Sequence, residues 1–406
     1  MNKKKISKGE EKENVLKYKL IYSGIIILVY LLGKNIPVYG IDISAYGNTA
    51  DLTGEDLLIQ SISGDLMRSS IFALGIFPSM ISGFLVQIFM ALRGVFTKTG
   101  ISPKKTRRMT LAVTLVIALI QVMAQMPALK FHTSAQMHVV RGVAGLEMVT
   151  GAVLIMWLGD RNNKYGIGGR MPLIIVNILE RISLPFVTYS ARSLALPLAV
   201  GILMMMIMLV MENTEKRIPV QRISIHNIYA DKNYMAIKLN PVGMMPLMFS
   251  TAVFMLPKLV VSLLVQFFPY HQGILWWQDN LSLTKPFGIF IYLVCEYTLT
   301  IGFSMLMINP KDISENFLKS GDSIVDLHAG RETRRYLRGV MLRISVFSAT
   351  IIGACICLPM VMQLRGDLDS TLSTLPTSIM LMTGFSCTLH REAYTLWAYD
   401  SCRPLF

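Results

Sequence analysis

The sequence predicts an all-α polytopic membrane protein: ten transmembrane helices in two inverted five-helix halves, with one half-inserted helical segment. Three observations carry this expectation. Of the 406 residues, 53% are hydrophobic and only 16% charged, against roughly 25% charged in a soluble chain. Ten apolar runs follow one another, most near the ~20 residues that cross a bilayer. One of these runs, within residues 60–90, is interrupted.

Residues 1–19 are polar and carry seven lysines, which reads as a cytoplasmic tail with no cleavable signal peptide. Apolar spans follow near 20–38, 72–92, 107–127, 142–158, 171–189, 193–211, 243–265, 286–308, 340–360 and 375–389. Span two joins a half-polar piece, QSISGDLMRSS (60–70), to IFALGIFPSMISGFLVQIF (71–89). Gly75 and Pro78 interrupt it, because glycine loosens the backbone and proline removes a donor. Such a break survives at membrane depth only where protein or a water-filled cavity receives the freed groups. That points to a channel or transporter; the plainer alternative is a kinked ordinary span. Half the spans precede residue 190 and half follow it. Five per half is odd, so the halves are inverted, a recurring transporter plan, although no identity between them is visible. The expected organisation is a tail (1–19), a first half (20–190), a second half (191–390) with long cytoplasmic loops at 212–240 and 309–338, and a short cytoplasmic C-terminus (391–406). Trp276 and Trp277, in the outer segment 271–285, suit a helix lying on the outer leaflet.

The net charge of +14 is too dispersed for a nucleic-acid stripe, so no nucleic-acid partner is expected. It sorts by side instead. With the N-terminus inside, 30 of the 39 Lys and Arg fall in cytoplasmic segments, 8 outside, and Lys258 within a span. This fits the positive-inside rule with both termini in the cytoplasm. Each long loop mixes acids and bases and exceeds what a turn needs, so each reads as a docking surface; the alternative is two solvated loops. The five cysteines form no disulfide framework, and Cys355 and Cys357 face different sides of a helix. His132, His138, His226, His271 and His390 show no metal spacing. No GxxxxGK[ST], HExxH or GxSxG motif is present. Neither enzymatic activity, cofactor nor metal is expected. Glu147, Glu180 and Glu296 look buried and favour a rival, a proton-coupled secondary transporter.

Seven pieces, in order along the chain, give a more specific expectation: IPVYGID (36–42), IFALGIFP (71–78), MWLGD with GIGG (156–160, 166–169), EKRIPVQ (215–221), KLNPVGMMP (238–246), NPKDISENF (309–317) and TSIML (377–381). With them the sequence resembles the SecY family, the pore subunit of the protein-conducting channel. The resemblance implies a clamshell of two halves. Its lateral gate lies between spans two and three on one side and seven and eight on the other. Its plug is supplied by about residues 60–71, here with Gly64, Leu66, Arg68 and Ser69. It implies a SecE-like small membrane subunit, a SecA-type motor ATPase on the long loops, unfolded secretory polypeptide as cargo, and lipid around it. Departures from the family pattern are GIGGR (166–170) for GIGNG, His328 for an arginine in LHAG, a shorter and less basic loop between spans six and seven, and no basic C-terminal tail. They suit the accessory SecY-type paralogues of Gram-positive bacteria, which export serine-rich glycoprotein adhesins with an accessory motor. A housekeeping SecY is the nearest alternative.

Residue by residue, the resemblance places a pore ring at Ile76, Met80, Ile175, Met245, Met248 and Leu381. Ile76 and Met80 are four apart and would share a helix face; apolar rings gate by dewetting. Ordinary core packing is the competing reading. Gln121 and Asn240 fall at the lateral-gate edges, and Arg217, His328, Arg331, Arg334 and Arg335 on the motor-docking loops.

Overall fold

The computed structural model describes residues 15–41, 70–96, 102–129, 131, 137–221, 233–366 and 368–402. The helices are α1 (Val15–Lys34), α2 (Phe77–Phe96), α3 (Pro103–Gln125), α4 (Met137–Tyr165), α5 (Met171–Thr188), α6 (Ala191–Asn213), α7 (Met245–Phe267), α8 (Gln272–Asn280), α9 (Pro286–Met307), α10 (Pro310–Ser320), α11 (Arg331–Arg365) and α12 (Ser370–Cys402). Among the described residues, nine helices are long and apolar enough to cross a membrane, and α2 adds a shorter apolar stretch, Phe77–Met90. The ten-span reading fits.

One end of the bundle, termed basal here, collects the start of α1 and the end of α12, where the Leu16 amide donates to Asp400 at 2.9 Å. The end of α4 joins them through Tyr22 and Tyr165, and the end of α6 through Arg391 and Glu212. Thus α1 leaves the basal face and α6 arrives at it. The first helices of the two halves run oppositely, as inversion requires. The halves meet where α2 and α3 pack on α7, and where α12 packs on α1 and α5.

The interruption in span two has a local cause. Residues 71–76 form turns, Gly75 takes φ +57°, and α2 starts only at Phe77. Pro78 then stands in the first helical turn, where its missing N–H is no loss. Phe72 to Ile76 are buried in protein, as irregular backbone at this depth must be. Gly151 of α4 makes room for them: a Cβ there would come within 2.0 Å of the Ile71 carbonyl oxygen. The IPVYGID segment closes the other side, its Ile36 carbonyl accepting from the Ile71 amide at 2.9 Å.

Two helices overrun their expected ends. α11 has 35 residues and α12 has 33, about 50 Å each at 1.5 Å per residue, against a ~30 Å hydrocarbon core. Both project at the basal face. The 309–338 loop is therefore largely structured as α10, a short strand β3 (Ser323–Ile324) and the start of α11; residues 391–402 continue α12. The 212–240 loop begins with the last turn of α6. It then supplies β1 (Glu215–Gln221) and β2 (Tyr234–Lys238), which pair antiparallel with Glu215 opposite Lys238. β3 adds to β1 through Val220 and Ile324, giving the order β2-β1-β3. Ile218, Ile237 and Ile324 of this sheet pack on Leu337, Val340 and Met341 of α11. At the opposite, distal face α8 buries no residue and exposes Trp276 and Trp277.

Candidate functional site

The main core cluster spans both halves. It contains Ile76, Met80 and Leu381, buried to 3% exposure or less, with Ile175 and Met248 packed against it. Five of the six expected ring residues therefore lie in one apolar body. Met245 lies outside it, 36% exposed, in the first turn of α7. It shares a helix face with Met248 three residues on, one turn nearer the basal end. Ile76 precedes α2 rather than belonging to it, but the Met80 amide still bonds its carbonyl at 3.1 Å, so the two follow one helical path.

On the basal side of this cluster lies the GIGGR turn. Asn162 of α4 donates to the carbonyls of Ile167 (2.9 Å) and Gly169 (2.6 Å). Ser23 of α1 ties it further, donating to Asn162 and accepting from the Ile167 amide. Gly168 and Gly169 take φ +71° and +54°. The turn delivers Arg170 to α2, where its guanidinium donates to the Ser79 carbonyl at 3.2 Å. Asp160, the acid of MWLGD, holds Arg170 at 3.4 Å and Arg107 at 3.5 Å. An arginine in this turn thus reaches the helix that carries Met80.

The seam between α2 and α7/α9 is closed by Phe84, Phe249 and Phe303, with ring centroids 5.1 to 6.0 Å apart. Sequence reasoning missed this triad, since apolar residues fill these spans and three phenylalanines on three helices carry no shared pattern. Gln121 and Asn240 are not brought together. Gln121 sits near the distal end of α3, buried, its Oε1 without a hydrogen-bond partner among the described residues. Asn240 sits near the basal end, donating to Glu212 at 3.0 Å and accepting from Ser348 at 3.4 Å.

Glu212 is the hub of that end. It is 2% exposed and accepts from Asn240 and from Arg391 at 3.1 Å; Arg391 also reaches the Glu212 backbone carbonyl. Lys238 lies alongside on β2, its ammonium pKa lowered by burial and then by the Arg391 charge. The expected docking residues decorate the structure around the sheet. Arg217 is exposed on β1, pairs with Glu215 at 3.0 Å and covers the Tyr234 ring. His328 is 95% exposed, 3.3 Å from Glu332. Arg331, Arg334 and Arg335 are exposed on the first two turns of α11. The pairing of β1 with β3 makes the two loops one platform. The expected plug residues Gly64, Leu66, Arg68 and Ser69 lie outside the described residues.

The three acids that favoured a transporter do not converge. Glu147 accepts from the Tyr39 amide at 2.9 Å, Glu180 pairs with Lys34, and Glu296 accepts from Thr300 at 2.9 Å. Among the described residues, no three His, Cys, Asp or Glu gather as a metal site.

Two inverted helical halves around an apolar core cluster, with a structured platform at one end, define the class: a polytopic channel-type membrane protein. The SecY family model matches residues 70–389. An accessory Sec system protein translocase subunit SecY2 of Streptococcus agalactiae is 32% identical over 381 residues, 92% of each chain. A SecY2 of Leuconostoc gelidum is 30% identical over 84% of this chain and 86% of its own. The solved structure of a protein-conducting channel superposes with TM-score 0.70 at 16% identity, covering 97% of this chain and 95% of that one. The chain belongs to the SecY family.

Proposed function

We propose that this chain is the pore subunit of an accessory protein-export channel in the bacterial cytoplasmic membrane. It passes unfolded polypeptides, serine-rich glycoprotein adhesins among them. Its basal face is cytoplasmic, with both termini there. The observation that carries the reading is the single apolar cluster built by both halves, into which Ile76, Met80, Ile175, Met248 and Leu381 converge. Such a cluster blocks ions by dewetting yet can part along the seam between the halves. Met245 guards its basal mouth, Gln121 and Asn240 border the seam at its two ends, and residues 60–71 act as the plug. A separate SecA-type ATPase, of the accessory kind, docks on the platform and supplies the energy. A SecE-like small membrane subunit braces the bundle, and lipid surrounds it.

The test is reconstitution into proteoliposomes with an accessory SecA-type motor and a serine-rich substrate. ATP-dependent protection of the substrate from added protease supports the reading. Protection that is independent of this chain, or proton-driven uptake of a small solute instead, overturns it. A second measurement concerns the plug: deleting residues 62–69 should raise resting ion conductance in planar bilayers, and a variant as tight as the unaltered protein would make that segment a simple loop.

A further inference from the structure

Between the basal ends of α9 and α11 lies a cavity of about 420 Å³. Its walls are apolar: Ile301 and Met305 from α9, Leu342 from α11. Its rim is cationic: Lys311, Arg334 and Arg338, beside Asn309 and Pro310 at the start of α10. The spacing explains this division. Arg334, Arg338 and Leu342 recur every four residues, so they form one strip of α11, charged at its basal end and apolar toward the bundle centre. Ile301 and Met305 form the facing strip. Leu306, Met307, Val346 and Phe347 nearby are all exposed, so the cavity opens on the lipid-facing flank. The apolar run of α9 ends at Met307 and that of α11 begins near residue 340. The cations therefore stand at the depth where hydrocarbon gives way to headgroups. Among the described residues, the Lys311 ammonium has one weak ion pair, 3.9 Å from Glu315. Among the described residues, no carboxylate pairs with Arg334 or Arg338.

The geometry points to a binding site for one anionic phospholipid. The lipid phosphate sits among Lys311, Arg334 and Arg338, and an acyl chain lies along Ile301, Met305 and Leu342. Guanidinium groups grip phosphate through two parallel hydrogen bonds, and basic pockets between membrane helices at this level suit anionic headgroups. A free phosphate would leave the apolar wall unused. The inference needs only the membrane location and stands apart from the proposed cargo and motor. It assigns Arg334 to lipid, and leaves Arg331 and Arg335, one strip over and outside the cavity lining, to the platform.

The full chain in nanodiscs of phosphatidylcholine with phosphatidylglycerol, released and partly delipidated, is read by native mass spectrometry. The unaltered protein should retain one more phosphatidylglycerol than Lys311→Gln/Arg334→Gln/Arg338→Gln, while phosphatidylcholine fails to take its place. Arg338→Glu alone, an exposed substitution that spares folding, should lose the same lipid. Arg331→Gln/Arg335→Gln should keep it. Equal retention by the unaltered protein and both cavity variants overturns the site and leaves the groove to a protein partner. Equal loss from the Arg331/Arg335 variant reduces it to diffuse charge attraction. Displacement of the lipid by millimolar glycerol 3-phosphate makes it a free-phosphate site and overturns the lipid assignment.

Discussion

Glu212 is an acid with almost no exposure at the end of a membrane helix, and Arg391 on α12 answers it. Removing one partner of a buried pair strands the other, at a cost of about 3–5 kcal/mol. Arg391→Met should lose stability, by less than that full figure because Arg391 is itself 31% exposed and Lys238 and Asn240 remain beside Glu212, read by unfolding in detergent. Arg391→Lys should fall between, because an ammonium keeps the charge but lacks the planar fork that sets one guanidinium nitrogen on the Glu212 carboxylate and the other on its backbone carbonyl. Full stability in Arg391→Met would show that water reaches Glu212. The ring positions follow a different logic, since Met80, Met245 and Met248 give side chains with more rotatable bonds than a branched isoleucine. Met80→Asn puts a polar group into the apolar cluster and should raise resting ion leak; an unchanged leak would remove Met80 from the seal. Changing all three methionines to isoleucine should keep the seal but slow a glycosylated substrate more than its sugar-free form. Equal transport of both forms would leave the seal in place and discard the argument from compliance.

At the scale of elements, the start of α2 is the piece whose exact seat matters. The 71–76 turns fit only because α4 presents Gly151 to the Ile71 carbonyl. Gly151→Val must push that backbone away from α4, and Ile76 with it. Its expected signature is a raised resting conductance together with a lower melting temperature. A tight, fully stable Gly151→Val channel would show that the segment can reseat without disturbing the pore. The interruption itself was legible, because Gly75 and Pro78 punctuate an otherwise apolar run. Its seat was not, because nothing in residues 71–78 tells which helix will offer a glycine. The spans were legible by hydropathy for the same reason that their basal overruns were not. The first two turns of α11 are highly charged, and the last three of α12 (EAYTLWAYDSC) mix aromatic and apolar residues with Glu392 and Asp400, so a reading that looks for uninterrupted apolar runs stops short of both. The sheet was hidden more deeply: β3 has two residues, and its partner β1 lies about a hundred positions earlier. The phenylalanine triad stayed hidden because its members share no period.

For the whole molecule, the sheet joins the described parts of two loops from different parts of the chain into one surface, seated on α10 and α11. That surface carries Arg217 from one loop and Arg331 and Arg335 from the other, all exposed. A motor that docks there would meet a preformed patch and spend little on ordering loops, so charge should govern mainly its association rate and salt dependence. Arg217→Ala/Arg331→Ala/Arg335→Ala should therefore slow binding of a SecA-type motor severalfold at low salt, with the difference shrinking as salt rises and the Debye length falls below ~10 Å. The matching variant at Arg334 and Arg338 should leave motor association unchanged, since those guanidiniums belong to the lipid-facing cavity. Surface plasmon resonance on the nanodisc-embedded channel separates the two. If both variants slow the motor equally, the basal charges act as one undivided field. If neither does, the motor is held by the apolar and backbone features of the platform, and charge has no part in its docking.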